Sequence, residues 1–378
     1  MIYVIGAFTS FFLGIIALTK KGKNLSDTIL GIWLWVIAIH VFLYYTYAEK
    51  IGFFFPSFFG AHIPFPFLHG PLLYLYTLAL TQPVKFKSFY WLLHLIVPLL
   101  IFLWSAPLLI SSVEVKQEII NNGGKDYTTA TFILDMLLPV SGIFYVIVTN
   151  DLLIKHKRRI LNQFSNQEKI NLNWLRFLFY GMAVMWILIN VVEEDRWIFT
   201  GSVLFIILIG YFGIKQVGVF TNSSSPARNE IETEEALTIE EVAPDEFVTG
   251  VEKKKYIKSG LTSEMAVEIH SKLKDLMLNE RLYTNSELTL SDLAARLNIH
   301  PNYLSQVINE YESVNFYTYI NQLRIDEFKR ISLLPENQKY TVLALAYECG
   351  FNSKSAFNRF FKKATNLAPS EYMKQVST

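Results

Sequence analysis

The sequence contains very little cysteine: Cys349 is the single one among 378 residues. One thiol cannot close a disulfide within the chain, and no group of cysteine and histidine residues has the spacing of a zinc site. We therefore expect no metal and no cofactor, and we interpret Cys349 as a core residue. The sequence also lacks a serine elbow, a phosphate-binding loop and a zinc-hydrolase motif. Consequently, we predict that the protein is not an enzyme.

Net charge is also small, at +1, so charge has to be compared between segments rather than over the whole chain. Apolar residues make up 52% of the sequence, which is high for a soluble protein. Their long runs all fall within residues 1–216, and no later run is long enough to cross a bilayer. The sequence therefore predicts two halves that lie in different solvents.

The first half contains seven apolar stretches close to the length of about 20 residues that a membrane-spanning helix requires. These stretches run from Ile2 to Thr19, Leu25 to Tyr47, Ile63 to Leu80, Ser88 to Trp104, Thr129 to Leu153, Trp174 to Val192 and Trp197 to Lys215. Three prolines, Pro64, Pro66 and Pro71, crowd the start of the third stretch. We predict a seven-helix transmembrane bundle over residues 1–216.

Basic residues follow the first, third and fifth stretches, and loops rich in lysine and arginine remain in the cytoplasm. They are Lys20, Lys21, Lys23, Lys85, Lys87, Lys155, Lys157, Arg158 and Arg159. The intervening loops are neutral or acidic. Seven spans then place the N-terminus outside and the C-terminal half in the cytoplasm. We expect a multi-pass protein of the inner (cytoplasmic) membrane, in contact with the lipid bilayer.

Five ionisable residues fall at or near membrane depth, where charge is costly. They are His40, His62, His69, His94 and Asp135. Each histidine is either neutral and hydrogen-bonded or functional, and Asp135 either lines an outward-facing cavity or pairs with a neighbour. The longest external connection, from about Ser105 to Thr128, is predicted to be a loop that could sense a signal. No ligand is indicated by these residues.

Residues 217–260 change in composition to serine, threonine, proline and glutamate. Six glutamates between Glu230 and Glu241 are accompanied by a single nearby cation, Arg228. Such a segment has too little apolar surface to order itself. We predict an acidic, flexible cytoplasmic linker that leads to a soluble domain over residues 261–378.

A first helix-turn-helix unit is indicated after an amphipathic helix from Ser263 to Leu282. The pattern predicts a helix from Thr289 to Asn298, a turn, and a second helix that begins at Pro301, where proline suits the first position. The polar side of this second helix carries Asn302, Ser305, Gln306 and Asn309. Amide and hydroxyl groups of this kind can bind base edges in the major groove, although a solvated polar face is the alternative.

A second unit follows a predicted spacer helix from Phe316 to Leu334. A helix from Thr341 to Glu348 precedes a turn at Gly350, and Ser353 can cap the next helix. The exposed face of that helix carries Lys354, Ser355, Asn358, Arg359 and Lys362, opposite a stripe of phenylalanines. Its cations can neutralise phosphates while arginine and asparagine read bases. Two such helices could enter major grooves about 34 Å apart.

These motifs resemble the DNA-binding domain of the AraC/XylS family of transcription regulators. The resemblance covers residues 263–378 and rests on Ala346-Tyr-Glu-Cys-Gly-Phe-Asn-Ser-Lys-Ser-Ala-Phe-Asn-Arg-Phe-Phe-Lys-Lys363, Pro369-Ser-Glu-Tyr372, Asp292-Leu-Ala, Tyr303-Leu-Ser, Asn315-Phe and Asn321-Gln-Leu-Arg324. It implies base reading by Asn302, Ser305, Gln306, Lys354, Ser355, Asn358 and Arg359. The sequence departs from the family pattern at Ser313 or Val314, at Asn366 and at Met373, where the family often has glycine, glycine and arginine.

We therefore expect an all-α protein: a transmembrane bundle over residues 1–216, the linker over 217–260 and an AraC-type domain over 261–378. Its expected function is that of a membrane-anchored, sequence-specific transcription regulator that couples a membrane or external signal to DNA. The expected partners are double-stranded DNA, the lipid bilayer, RNA polymerase and a second copy of the chain. One alternative is a membrane receptor or enzyme whose C-terminal module serves protein contacts only. Another keeps DNA binding and makes the helices a passive anchor.

Overall fold

The computed structural model describes residues 2–48, 56–82, 89–166, 172–191, 195–215 and 261–376. Within these ranges every regular element is helical, apart from one isolated bridge between Phe164 and Thr289. The predicted all-α class is confirmed. The predicted linker, residues 217–260, lies outside the described residues.

The described residues form two compact units. Residues 2–155 and 172–215 belong to the first unit, and residues 156–166 and 261–376 belong to the second. The boundary therefore falls within a helix, so the end of that helix packs with the C-terminal residues. The predicted boundary at residue 216 lies outside the described residues, and a short segment between two apolar stretches belongs to the second unit.

The first unit is built from long apolar helices. Their bounds are α1 Ile2–Thr19, α2 Leu25–Ala48, α3 Pro66–Thr81, α4 Ile96–Ile110, α5 Val113–Asn121, α6 Thr128–Gln163, α7 Asn173–Val191 and α8 Asp195–Lys215. Four helical stretches are long and apolar enough to cross a membrane, by length and composition: Ile2–Thr19, Leu25–Thr46, Tyr90–Ile110 and Lys125–Gln163. The bundle of seven spans stays a prediction.

Helix α3 is shorter than the predicted third span. It begins at Pro66 rather than Ile63, and proline suits the first helical position because its missing N–H would have no partner there. Most of α3 is buried in the first unit, including Leu73 and Tyr76. With 16 residues it is also shorter than a usual spanning helix of about 20 residues.

Close packing of α1 against α2 depends on small residues. A Cβ atom at Gly14 would lie 2.4 Å from Cδ1 of Trp35 and 3.2 Å from the carbonyl oxygen of Gly31. Small residues of this kind allow the backbones of apolar helices to approach each other. The buried core beside this contact includes Leu30 and Trp33.

Histidines in the first unit take part in hydrogen bonds. The indole Nε1 of Trp33 donates to Nδ1 of His69 across 3.3 Å, and Nε2 of His69 lies 3.0 Å from Nδ1 of His40. Nδ1 of His94 lies 3.3 Å from the hydroxyl of Tyr145. These contacts agree with hydrogen-bonded histidines. Asp135, by contrast, is exposed on α6.

The prediction of a loop from Ser105 to Thr128 is wrong over most of its length. Helix α4 continues to Ile110, and α5 starts directly afterwards because the hydroxyl of Ser112 accepts a hydrogen bond from the backbone N–H of Val115. Glycines 123 and 124, both with positive φ, supply the turn into the next helix. The sequence pattern missed α5 because its three charged residues hide a short helix.

The second unit contains seven further helices among the described residues. Their bounds are α9 Ser263–Glu280, α10 Leu290–Arg296, α11 Pro301–Tyr311, α12 Phe316–Ser332, α13 Val342–Glu348, α14 Lys354–Thr365 and α15 Pro369–Val376. They enclose two apolar cores. Helix α12 contributes Ile320 to the first core and Phe328 to the second, so it connects them.

Cys349 lies in the second core and is 1% exposed. The prediction of a core residue is confirmed. Burial raises the pKa of its thiol to about 12, so the group stays protonated at neutral pH. A protonated buried thiol is chemically inert, because the thiolate is the reactive form.

Candidate nucleic-acid interface

The first helix-turn-helix unit consists of α10 and α11. Thr289 and Asp292 form a capping box at the start of α10. The Thr289 hydroxyl accepts a hydrogen bond from the backbone N–H of Asp292, and the Asp292 carboxylate accepts one from the backbone N–H of Thr289. This reciprocal pair satisfies two N–H groups that the helix leaves open. Asn298 turns the chain with a φ of +53°, and Nδ1 of His300 caps α11. Pro301 occupies the first helical turn, as predicted.

The polar face of α11 differs from the prediction at one position. Asn302 is exposed and Ser305 is partly exposed, whereas Gln306 is only 6% exposed. The Gln306 amide donates a hydrogen bond to Oε1 of Glu310, one turn further along the same helix, across 3.0 Å. The expectation of an exposed Gln306 is therefore wrong, whereas Asn302 is exposed and Ser305 and Asn309 are partly exposed.

The second helix-turn-helix unit consists of α13 and α14 and turns at Gly350, as predicted. Its φ is +95°, and a Cβ atom there would lie 2.6 Å from the carbonyl oxygen of Tyr283 and 2.7 Å from that of Thr284. Both the backbone conformation and the close approach require glycine. Thr341 caps α13 and Ser353 caps α14, each through its hydroxyl. The two caps fix the ends of the helices that form the turn.

Helix α14 has one buried and one open face. Phe357, Phe360 and Phe361 are buried in the second core. All five polar residues predicted for the opposite face are exposed: Lys354, Ser355, Asn358, Arg359 and Lys362. The separation follows from the helical period, which places residues three and four apart on one side. No carboxylate occurs from Lys354 to Lys363, so the open face is cationic.

The guanidinium of Arg359 has a specific partner that the sequence did not indicate. Its Nη2 donates to the hydroxyl of Tyr317, on α12, across 2.6 Å. The Tyr317 ring is 7% exposed and packs edge-on against Phe360 at 5.2 Å. The spacer helix therefore holds the guanidinium of Arg359 through this hydrogen bond. The spacing of the two residues in sequence gives no signal for this contact.

Arg324 is a buried cation at the centre of the second unit, with 2% of its surface exposed. Its Nε donates to the carbonyl oxygen of Tyr283 at 2.7 Å, and its Nη2 donates to that of Asn285 at 2.8 Å. Burial lowers its pKa to about 10, which leaves it charged at neutral pH. Buried charges need hydrogen-bond partners, and here backbone carbonyls provide them.

The residues matched by comparison with known proteins cover the two helix-turn-helix units. Residues 293–375 match the family described as Helix-turn-helix domain. The C-terminal stretch is a helix-turn-helix domain. The resemblance to the AraC-type domain is thereby confirmed for this stretch. No solved structure matches the chain.

Several curated proteins are similar to part of the chain. The uncharacterized HTH-type transcriptional regulator YijO of Escherichia coli (strain K12) is 34% identical over 90 residues, 24% of this chain and 31% of that protein. The Msm operon regulatory protein of Streptococcus mutans is 30% identical over 91 residues, 24% and 32% of the two chains. The uncharacterized HTH-type transcriptional regulator YobQ of Bacillus subtilis (strain 168) is 32% identical over 117 residues, 31% and 44%. The chain thus spans less than half the length of each.

Proposed function

We propose that this chain is a membrane-anchored transcription regulator that binds specific DNA sequences through its helix-turn-helix domain. The observation that carries the proposal is the open face of α14. Five exposed side chains that can bind DNA lie there, while the opposite face is buried. A solvated helix face usually mixes charges of both signs, whereas this face has cations and hydrogen-bonding groups together. Such a face can bind DNA, because its cations can contact phosphates and its hydrogen-bonding groups can contact base edges.

The roles within this face follow from side-chain chemistry. Arg359 can bind guanine through two parallel hydrogen bonds, and Asn358 can bind adenine in the same way. Lys354 and Lys362 suit phosphates, because an ammonium group is a compact charge without a fixed planar geometry. Ser355 can donate to either a base or a phosphate. In the first helix-turn-helix unit, Asn302 and Ser305 on α11 take the corresponding roles. Two helices then read one DNA.

The membrane part of the proposal is supported by the apolar helices of the first unit. Four stretches have the length and composition of spanning helices. Many apolar side chains on them are exposed, such as Phe8 at 69% and Val140 at 64%, as expected for residues that face lipid. We propose that this bundle has its N-terminus outside, holds the DNA-binding domain in the cytoplasm and couples an external or membrane signal to transcription. RNA polymerase and a second copy of the chain are the further partners in this proposal.

The test uses the full chain, because the second unit includes residues 156–166 as well as the C-terminal helices. Protein reconstituted in lipid discs is mixed with fragmented genomic DNA at low salt, and bound fragments are sequenced. We expect a small set of enriched fragments, with affinity that falls steeply as salt increases. Absence of any DNA retention would contradict DNA binding. A topology reporter at the C-terminus that registers outside the cell would contradict the membrane arrangement.

A further inference from the structure

A short segment from Ile160 to Asn166 packs on the helix-turn-helix domain within the second unit. It follows the fifth apolar stretch in the sequence and was predicted as part of a cytoplasmic loop. Helix α6 continues into this segment as far as Gln163. Ile160 is buried, and Leu161 contacts the second core, which contains Phe357 and Phe361. The segment is therefore a packed part of the domain.

Ser165 makes the most specific contacts of this segment and is 2% exposed. Its backbone N–H donates to the carbonyl oxygen of Leu288 at 3.2 Å, and its hydroxyl donates to the same oxygen at 2.7 Å. Directly beside it, Phe164 and Thr289 form the isolated antiparallel bridge. The segment is thus hydrogen-bonded to the start of the first helix-turn-helix unit.

Ser165 also provides acceptors for the buried guanidinium of Arg324. Nη1 of Arg324 donates to the Ser165 carbonyl oxygen at 3.2 Å, and Nη2 donates to the Ser165 hydroxyl at 3.1 Å. The amide of Asn321 donates to the same carbonyl oxygen at 3.2 Å. A buried cation without these acceptors would be costly. The docked segment therefore completes the hydrogen bonding of the spacer helix.

These contacts are connected to the open face of α14. The Asn321 amide that binds Ser165 also donates to the backbone carbonyl of Tyr317 at 2.8 Å, and the Tyr317 hydroxyl accepts from Arg359. A cavity of about 170 Å³ is lined by residues of both the segment and α14. Ser165, Asn166, Ser355 and Arg359 are among its lining residues. The docked segment thus reaches the side of the proposed reading helix.

We propose that residues 160–166 are an intrachain docking element that lowers the affinity of the domain for DNA while it is seated. This proposal rests on the proposed function. In the seated state Arg359 is bonded to Tyr317, and Asn166 lines the same cavity as Ser355 and Arg359, so a base has to displace the hydrogen bond between Arg359 and Tyr317. Release of the element removes the constraint on Tyr317 and opens the cavity. Because the element follows α6 directly in the chain, a movement of that helix is transmitted to it covalently.

A disulfide can lock the seated state. The bond from Ser165 N–H to the Leu288 carbonyl flanks the bridge between Phe164 and Thr289, which makes this a non-hydrogen-bonded pair. Cα atoms in such pairs lie about 4.5 Å apart, within the range of about 4.4–6.8 Å that disulfides span. The test protein is the full chain with Phe164→Cys and Thr289→Cys in lipid discs. The same protein after reduction is the matched control, and each single variant controls for oxidation at Cys349.

The probe is the DNA fragment most enriched by the wild-type chain. We expect the oxidised protein to bind it about 5- to 150-fold more weakly than the reduced protein, the usual range of coupling between sites. Ser165→Ala tests the opposite direction and leaves Thr289 in place. Loss of the hydroxyl weakens docking and is expected to raise affinity about 2- to 10-fold.

Four results have different meanings. Weaker binding on oxidation together with tighter binding of Ser165→Ala supports the docking element. Equal or tighter binding by the oxidised protein, or unchanged or weaker binding by Ser165→Ala, overturns it and leaves the proposed function standing. If the reduced double variant binds no DNA, Ser165→Ala alone decides. Failure of the wild-type chain to enrich any fragment overturns the proposed function as well.

Discussion

Arg359 on α14 donates a hydrogen bond from Nη2 to the hydroxyl of Tyr317 on α12, across 2.6 Å. Tyr317 packs in the second core, whereas the rest of the Arg359 side chain belongs to the exposed face. The contact connects a proposed base-reading residue to the helix that joins both cores. The position of Arg359 therefore depends on α12 as well as on α14.

Replacement of Tyr317 by phenylalanine tests this connection. Tyr317→Phe keeps the ring against Phe360 and removes the acceptor of the Arg359 hydrogen bond. We expect about 2- to 10-fold tighter DNA binding, since one hydrogen bond that competes with DNA is lost. The measurement is a titration of the enriched fragment, with Arg359→Ala as the second arm of a double-mutant cycle. If Tyr317→Phe has the same effect in the Arg359→Ala background, its action does not pass through Arg359.

Arg359 and Lys362 are expected to differ in the kind of affinity that they supply. Arg359→Ala should cost about 1–3 kcal/mol on the preferred fragment and relax sequence preference at one base pair. Lys362→Ala should weaken binding to all fragments alike and reduce the salt dependence by about one phosphate contact. Binding to a randomised library at several salt concentrations separates the two effects. Equal, sequence-independent losses for both variants would contradict base reading by Arg359.

Asn302 and Gln306 provide a matched comparison on α11. Asn302 is exposed, so Asn302→Ala should cost about 1–3 kcal/mol in DNA affinity and change sequence preference. Gln306 is buried and bonded to Glu310, so Gln306→Ala should leave the sequence preference unchanged. Selection from a randomised DNA library checks both variants. A change of preference with Gln306→Ala would restore this residue to the reading face.

The sequence was sufficient for features that depend on neighbouring residues. The cap at Ser353, the turn at Gly350 and the two faces of α14 all follow from local spacing, and the structure has them as predicted. The burial of Gln306 was not predictable from the helical period, which placed this residue on the polar face of α11. Amide side chains of this length have rotamers that the pattern does not specify.

Long-range contacts could not be predicted from the sequence, for a different reason. Ser165 and Arg324 are 159 residues apart, and neither residue type requires the other. The segment around Ser165 lies between two apolar stretches, where the pattern predicts a connection and gives no docking site. Sequence periodicity reports which face of a helix is buried, but it does not report which distant segment covers that face.

Gly350 allows a test of the turn between α13 and α14. Gly350→Ala should lower the free energy of unfolding of the second unit by more than about 1 kcal/mol, because alanine is strained at positive φ and its Cβ meets two carbonyl oxygens. The rate at which Cys349 reacts with a thiol reagent in denaturant measures this opening in the full chain. Asn366→Gly is the control: its φ is +58°, so glycine there should be neutral or stabilising. Equal destabilisation by both variants would contradict the explanation.

Glu327 on α12 makes the stability of the second unit depend on pH. Its carboxylate accepts hydrogen bonds from Arg330 at 2.7 and 2.9 Å, and chiefly these bonds lower its pKa below the ordinary 4.5. The folded state therefore binds a proton less readily than the unfolded state. The stabilisation from Glu327 is complete above pH 4.5 and is lost as the pH falls from there through the folded pKa.

Glu327→Gln should remove this pH dependence and reduce stability mainly above pH 4.5, where the carboxylate is charged. Unfolding is followed in the full chain by trapping Cys349 with a dipyridyl disulfide, which reacts with thiols at acid pH. The matched control is Glu268→Gln, because Glu268 also accepts from a cation one turn away but is exposed on α9. We expect little change there, since exposed ion pairs stabilise weakly. A stability profile of Glu327→Gln that runs parallel to the wild type at every pH would show that this carboxylate does not carry the effect.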